Sequence, residues 1–227
     1  MIPKRIALLS AAPLAVAVPL IVFHDVFAVF ALYHIGICLL VPAFVNLAVR
    51  RLGMRGHLSV LALTGPGSRR GFGLGLILAG ILAAGTLVAF KLFGHVFLAD
   101  QDIAGTLAAW GAGPERHAAL FWFMILVNGP AEELYWRGFV HHELVPVSKP
   151  GPCLSMVAAG YASYHAVTVQ LLVGSVTVSL LFLAAIWGAG LAWGWLREKT
   201  GSVWPPLLGH AGATIAYMIV ARPYLFG

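Results

Sequence analysis

Apolar runs long enough to cross the hydrocarbon core of a bilayer recur along nearly the whole of this chain. A transmembrane helix needs about 20 predominantly apolar residues in succession. Of the 227 residues, 60% are hydrophobic and only 10% are charged, a composition that excludes an ordinary soluble domain. We therefore expect an all-α fold: an integral, polytopic transmembrane helical bundle of about seven spans, with six to eight spans compatible with the pattern.

Turn residues between the apolar runs define the predicted spans. Residues 53–70 and 98–116 are expected to be polar loops, although 103–110 is also compatible with a short interfacial or re-entrant helix. The first apolar run follows Lys4 and Arg5 as in a signal peptide, and we expect it to be retained as the first helix. The predicted helices cover residues 5–23, 26–49, 71–93, 116–143, 152–168, 174–197 and 203–222.

Ten of the basic residues fall on one side of the membrane if seven spans begin with a cytoplasmic N-terminus, and only Lys91, Arg116 and Arg222 fall near the other side. An excess of Lys and Arg marks cytoplasmic loops, so the net charge of +6 indicates topology and not nucleic-acid binding. The Ala-, Gly- and Leu-rich composition suggests a bacterial cytoplasmic membrane, and the sequence specifies no oligomeric state. The residues on that side are Lys4, Arg5, Arg50, Arg51, Arg55, Arg69, Arg70, Lys149, Arg197 and Lys199.

Two adjacent carboxylates, Glu132 and Glu133, interrupt the fourth apolar run. A charge near the bilayer centre costs about 2.5–3.5 kcal/mol on insertion scales, so such residues are functional candidates. Glu133 and Arg137 are i,i+4 neighbours on a helix and can neutralise each other. Glu132 points about 100° away and has no obvious partner on its own helix. The alternative interpretation is a structural salt-bridge cluster between two helices.

Three further polar side chains inside apolar spans could meet Glu132. His165 and His210 lie in the fifth and seventh predicted helices, and Asn128 lies one turn before Glu132 on the same helix face. An enclosed carboxylate suits a general base, and histidines can orient water or stabilise an oxyanion. The same ligands could hold zinc, but the sequence has no His-Glu-x-x-His motif. We therefore favour a site without metal or cofactor, and zinc is the weaker interpretation.

The other histidines and the glycine-rich stretches have simpler interpretations. We expect the remaining histidines to lie near span ends or in loops, with interfacial or solvated roles. Glycines in the third and sixth spans favour close packing between helices of the same chain. The histidines are His24, His34, His57, His95, His117, His141 and His142, and the glycines are Gly71, Gly75, Gly80, Gly85, Gly190 and Gly194.

Three motifs occur in order on three predicted helices: Glu132-Glu133-x-x-x-Arg137, Tyr161-x-x-x-His165 and His210-x-x-x-Thr214. They resemble the EExxxR, FxxxH and HxxxN motifs of the CAAX protease and bacteriocin-processing family, also called the type II CAAX prenyl endopeptidase or Abi family. The resemblance covers roughly residues 120–220. It divides the chain into N-terminal transmembrane helices without a specific motif, residues 1–115, and a protease-like core, residues 116–227.

The resemblance implies an intramembrane endopeptidase that hydrolyses a peptide bond in a membrane-associated protein or peptide, such as a tail or leader. Glu132 would activate water, and His165 would help to position that water. His210 would stabilise the tetrahedral oxyanion together with its i+4 partner. Glu133 and Arg137 would support the site. The expected partners are a membrane-anchored substrate and the lipid bilayer, with no nucleic acid.

Thr214 stands where the family has asparagine. A threonine hydroxyl donates one hydrogen bond with a shorter reach than the amide, so Asn128 or His210 would have to compensate. This departure supports an alternative: a non-catalytic membrane scaffold or immunity-type binding protein on the same fold. A proton-coupled transporter that uses Glu132 and the histidines as a relay is a third hypothesis.

Overall fold

The computed structural model describes residues 2–98 and 101–226. The structure is 88% helical, without a strand in the described residues, which confirms the all-α prediction. Three of the helices, α1, α2 and α6, continue through π-helical turns. The helices are α1 (2–23), α2 (Val26–Val49), α3 (Gly53–Val60), α4 (Ser68–Leu98), α5 (Ile103–Ala109), α6 (117–144), α7 (Pro150–Val173), α8 (Val176–Thr200), α9 (Trp204–Val220) and α10 (Arg222–Phe226).

The seven long helices correspond to the seven predicted spans. Four of them, α2, α4, α7 and α8, are long and apolar enough to cross a membrane, and the protein is an integral membrane protein. Helix α6 is less apolar because it carries buried charged residues, and α9 has only 17 residues. The count of seven spans and the cytoplasmic N-terminus stay predictions.

The two predicted loops contain short helices. For residues 53–60 the loop prediction was wrong, because α3 forms there with His57 buried and its Nδ1 3.2 Å from Asn46 Nδ2. Gly53 and Gly56 lower the helix propensity of this segment, so the sequence did not indicate a helix. In the second loop α5 forms as the short-helix alternative predicted, and Asp102 caps it by accepting a hydrogen bond from Gly105 N–H at 2.9 Å. Asp100, also assigned to that loop, lies outside the described residues.

Close contacts through glycine hold the helices that carry the site. Helix α4 packs along α9, and any side chain at Gly212 would overlap the backbone of Ala79. Helix α7 packs along α8, where a Cβ on Gly190 would lie 3.1 Å from that of Ala158. These contacts confirm the predicted intramolecular packing for Gly71, Gly75, Gly190 and Gly194. Gly80 and Gly85 differ, because a Cβ there would meet nothing within 4 Å.

Helix α6 changes its winding on both sides of the two glutamates. π-Helical turns cover Met124–Asn128 and Leu134–Val140, and a short α-helical segment, Gly129–Glu133, lies between them. π-Helical turns are frequent at functional sites because they shift side chains and free backbone carbonyls. Arg197 on α8 satisfies one carbonyl here, since its Nε–H donates to Arg137 O at 3.1 Å. The two glutamates therefore lie on a short α-helical segment bounded on both sides by π-helical turns.

Candidate active site

Glu132 is a buried carboxylate, 1% exposed, that faces side chains from other helices. Its Oε1 lies 3.3 Å from His34 Nε2 on α2, and its Oε2 lies 3.9 Å from His210 Nε2 on α9. No Lys or Arg pairs with it in the described residues. Its surroundings are thus those expected of a carboxylate that is held in place but not neutralised by a fixed cation.

Glu133, its neighbour, points to a separate cluster. Its Oε1 accepts hydrogen bonds from Arg137 Nη1 at 2.9 Å and from His210 Nδ1 at 3.0 Å. The Arg137 guanidinium also lies over the rings of Tyr161 and Trp193, with its Cζ 4.2 and 5.3 Å from their centroids. The predicted i,i+4 pair is therefore present and fully buried, and it orients His210 through one carboxylate oxygen.

His34 is a site residue that the sequence interpretation missed. Its Nε2 lies 2.7 Å from Asn128 Oδ1 as well as 3.3 Å from Glu132 Oε1. The ring sits edge-on between Phe30 and Phe123, with centroids 5.7 and 5.4 Å away. Its placement near a span end was wrong, because it lies inside α2 and is 4% exposed. The signal was available: an ionisable side chain inside an apolar span is a functional candidate.

The Asn128 amide lies beside both His34 and Glu132, but it can donate to the carboxylate in one orientation only. If the amide is turned over, its NH2 lies 2.7 Å from His34 Nε2 and 3.3 Å from Glu132 Oε1, and its oxygen accepts from Gly129 N–H at 3.2 Å. Asn128 and Glu132 are one turn apart on α6, as the sequence predicted. In the turned-over orientation the amide donates to Oε1 and helps to fix that side of the carboxylate.

Two other histidines assigned to loops or span ends are buried as well. His57 packs under α2, and His141 lies near the end of α6 with its Nε2 3.2 Å from Glu198 Oε1. Both were wrongly interpreted as interfacial or solvated. Neither contacts Glu132, so they stabilise the bundle without joining the site. Exposed positions are found, as expected, for His24, His95 and His142.

His165 and Thr214 complete the polar groups around Glu132. The Nδ1–H of His165 donates to the carbonyl oxygen of Tyr161 at 3.0 Å, so in the neutral ring Nε2 carries the lone pair. The ring lies against those of Tyr161 and Tyr164, with centroids 4.8 and 4.1 Å away. Thr214 is buried one turn after His210. Neither side chain hydrogen-bonds Glu132 directly.

One cavity of about 470 Å³ brings these groups together. Its polar wall contains the side chains that the sequence analysis assigned to the reaction, namely Glu132, His165 and His210 with Asn128 and Thr214. His34 lines the same wall. Glu133 and Arg137 lie behind that wall and do not line the cavity, which fits their predicted supporting place. The polar residues of the wall near Glu132 are His34, Asn128, Glu132, Tyr164, His165, His210 and Thr214.

Two buried oxygens at this wall make no hydrogen bond of good geometry within the described part of the chain, although the Tyr164 hydroxyl lies close to the Glu132 carboxylate. They are Glu132 Oε2 and the hydroxyl of Tyr164. Buried polar atoms are normally paired, and an unpaired one costs about 1–3 kcal/mol. Both residues line the cavity, so a polar ligand there could satisfy them. Across residues 2–98 and 101–226, no group of three or more His, Cys, Asp or Glu side chains has a metal-binding arrangement.

Comparison with known proteins gives one match. The family model described as type II CAAX prenyl endopeptidase Rce1-like matches residues 114–216. The match confirms the resemblance for this segment, which contains the three motifs, and it supports an intramembrane endopeptidase function in general. No curated protein and no solved structure matches the chain. His34 lies outside the matched segment, so α2 adds to the site a residue that the match does not include.

Proposed function

We propose that this protein is a glutamate intramembrane endopeptidase that hydrolyses a peptide bond in a membrane-anchored protein or peptide without a metal. The observation that carries the proposal is the asymmetry of the two glutamates. Glu133 is neutralised by Arg137, whereas the equally buried Glu132 has no Lys or Arg partner among the described residues, and its Oε2 makes no hydrogen bond at the cavity wall, with His210 Nε2 3.9 Å away. A purely structural cluster would be expected to pair both carboxylates.

In the proposed reaction Glu132 Oε2 removes a proton from water while the water oxygen attacks the carbonyl carbon of the scissile bond. Positioned carboxylates act in this way as general bases. His165, with its Nδ1–H given to Tyr161 O, can accept at Nε2 a hydrogen bond from the other O–H of this water and so hold it in place. When the tetrahedral intermediate collapses, the C–N bond breaks and Glu132 returns the proton to the leaving amine.

The developing oxyanion needs donors that are already in place. His210 gives Nδ1–H to Glu133, and its Nε2 faces Glu132 and the cavity, where it can donate to the oxyanion when it carries a proton. Thr214 adds a hydroxyl from the next turn of α9. The shorter reach of this hydroxyl compared with asparagine makes His210 the main donor in this scheme.

His34 and Asn128 act through Glu132 and are positioning residues. Both contact the side of the carboxylate that carries Oε1, so Oε2 is left as the oxygen that takes the proton. This division of the two oxygens supports a general base more than a relay of protons across the membrane. The rival function, a non-catalytic scaffold, is favoured by Thr214 alone.

The proposal is tested by terminal-peptide proteomics on native membranes that contain the wild type or Glu132→Gln, with and without a chelator. Glu143→Gln on the same helix is the matched control, because Glu143 forms an exposed ion pair with Arg50. We expect new peptide termini with the wild type and the control, insensitive to chelation, and none with Glu132→Gln. Chelator-sensitive termini would contradict the metal-free mechanism, and identical termini in all three samples would favour the scaffold.

A further inference from the structure

The hydroxyl group of Tyr164 has no role in the proposed reaction, although Tyr164 lines the same cavity wall as Glu132. Tyr164 directly precedes His165 on α7 and is 3% exposed. Its hydroxyl lies close to the Glu132 carboxylate but makes no hydrogen bond of good geometry in the described part of the chain. A buried hydroxyl without a partner costs about 1–3 kcal/mol. The unpaired group at this wall therefore points to a partner that arrives with the substrate.

Aromatic neighbours hold the ring that carries this hydroxyl. The Tyr164 ring centroid lies 4.6 Å from that of Tyr33 on α2 and 4.1 Å from that of His165. Tyr33 is itself fully buried, and its hydroxyl oxygen accepts a hydrogen bond from Trp136 Nε1–H on α6 at 2.9 Å. Side chains of three helices therefore fix the position of the Tyr164 hydroxyl. A group that stabilises developing charge must be preorganised in this way.

The hydrogen-bond donors at the wall are unevenly divided between the carboxylate and the oxyanion. His34 Nε2 and, in one amide orientation, Asn128 lie beside Glu132 Oε1, so the carboxylate already has positioning groups. For the oxyanion the wall offers His210 and the Thr214 hydroxyl, which has a shorter reach than the asparagine of the HxxxN motif. A tyrosine carries its O–H at the end of an aromatic ring and reaches further from its own helix. The missing second donor is therefore available on α7.

A lasting hydrogen bond from Tyr164 to Glu132 is the competing assignment. Such a bond would stabilise the ionised carboxylate and weaken it as the base that takes a proton from water. Among the described residues the Tyr164 hydroxyl has no such bond of good geometry, so its O–H is available to another acceptor. When water attacks the scissile bond, the carbonyl oxygen becomes the new negative charge beside Glu132. That oxygen is the acceptor that suits an unpaired donor at this wall.

We propose that Tyr164 is a catalytic residue that donates its O–H to the oxyanion and takes the place of the asparagine that Thr214 replaces. The hydrogen bond strengthens as the water oxygen bonds to the carbonyl carbon and the carbonyl electron pair moves to the oxygen. It weakens again when the carbonyl re-forms and the C–N bond breaks. The phenol keeps its proton throughout, so the step needs no further acid or base. This inference rests on the proposed function, since Glu132 activates the attacking water.

The first test removes the hydroxyl and keeps the ring. The full-length protein in lipid nanodiscs cleaves a synthetic peptide copied from a cut that depends on Glu132, with any lipid that the native substrate carries there. We expect Tyr164→Phe to lower kcat by about 100-fold with KM unchanged, because the donor acts in the transition state alone. Tyr217→Phe is the matched control, since Tyr217 lines the same cavity about two turns beyond His210. We expect wild-type turnover from this control.

Fluorinated tyrosines at position 164 distinguish an oxyanion donor from a residue that only positions Glu132. Fluorine makes the phenol a stronger hydrogen-bond donor without removing the hydroxyl, and the assay pH keeps the phenol protonated. We expect kcat to rise from tyrosine to the monofluorinated and then to the difluorinated residue, because the oxyanion is bound more strongly. A donor to Glu132 would instead weaken the base and lower kcat along the series. Either a falling or an unchanged kcat would overturn the assignment.

A double variant tests whether Tyr164 takes the place of the missing asparagine. Thr214→Asn restores the amide of the HxxxN motif on α9. If the amide and the phenol serve the same oxyanion, their effects are coupled and not additive. We expect Tyr164→Phe to lower kcat by a smaller factor in the Thr214→Asn background than in the wild type. An equal loss in both backgrounds would contradict the replacement of asparagine by Tyr164.

Failure of this inference is distinguishable from failure of the proposed function. Wild-type kcat in Tyr164→Phe, in a protein that still requires Glu132, would overturn the role of Tyr164 and leave the peptidase intact. SDS titration shows whether Tyr164→Phe is as stable as the wild type, and the fluorinated series decides the assignment if it is not. If no cut depended on Glu132, the proposed function itself would fail.

Discussion

Removal of the Arg137 charge should destabilise the bundle more than removal of any exposed charge. Arg137 is fully buried and donates to Glu133 Oε1 at 2.9 Å. Arg137→Met keeps most of the volume but leaves Glu133 with His210 as its remaining donor. Breaking a buried pair on one side costs about 3–5 kcal/mol. We expect a loss of that size in the free energy of unfolding, measured by SDS titration in mixed micelles.

Two comparisons distinguish the stability cost of leaving a buried charge unpaired from the cost of losing an arginine side chain. Arg50→Met breaks an ion pair whose side chains are 34% and 21% exposed, and we expect it to cost about 0–1 kcal/mol. The double variant Arg137→Met with Glu133→Gln removes both charges and should be more stable than Arg137→Met alone. If Arg137→Met cost no more than Arg50→Met, the assignment of a buried, coupled pair would be refuted.

Three further variants test individual contacts. His34→Leu removes the ring nitrogen that lies 3.3 Å from Glu132 Oε1. A hydrogen bond to a charged group contributes about 1.5–3 kcal/mol, so we expect kcat to fall by about 10- to 150-fold with KM unchanged. His34→Gln should recover most of this loss, and an equal loss in both variants would contradict a positioning role. Asp25 caps α2 by accepting two backbone N–H groups at 2.8 and 3.0 Å. Asp25→Ala should therefore lower stability by about 0.5–2 kcal/mol in the same titration, with Asp25→Ser close to the wild type. Thr214→Val should lower kcat by about 100-fold if its hydroxyl contacts the oxyanion, and Thr214→Asn should retain activity; unchanged turnover in the valine variant would remove Thr214 from the mechanism.

The long helices were predictable because their apolar runs determine both their length and their position. Helix α2 begins and ends where the sequence placed it, at Val26 and Val49. The prediction failed at 53–60, where two glycines weaken local helix propensity. The contact between His57 and Asn46 that accompanies this helix is tertiary and leaves no local pattern in the sequence.

Site contacts between residues of one helix were predictable from the sequence, and contacts between residues of different helices were not. The spacing of Glu133 and Arg137 specified their pair, and the distinct direction of Glu132 followed from helix geometry. His34 could have been marked as a candidate from its place inside an apolar span, but its contact with Glu132 depends on the packing of α2 against α6. The cavity at Glu132 could not be predicted for a similar reason, since residues from most of the helices form its walls.

The most direct test of the account is single-turnover cleavage of one identified membrane-anchored peptide by purified protein in lipid nanodiscs. The wild type is compared with Glu132→Gln, after SDS titration has shown that the two are equally stable. A general base contributes about 10²–10⁴-fold, and we predict that Glu132→Gln slows peptide-bond hydrolysis by at least this range. Cleavage by Glu132→Gln within about threefold of the wild-type rate, far less than a general base contributes, would contradict the claim that Glu132 activates the water.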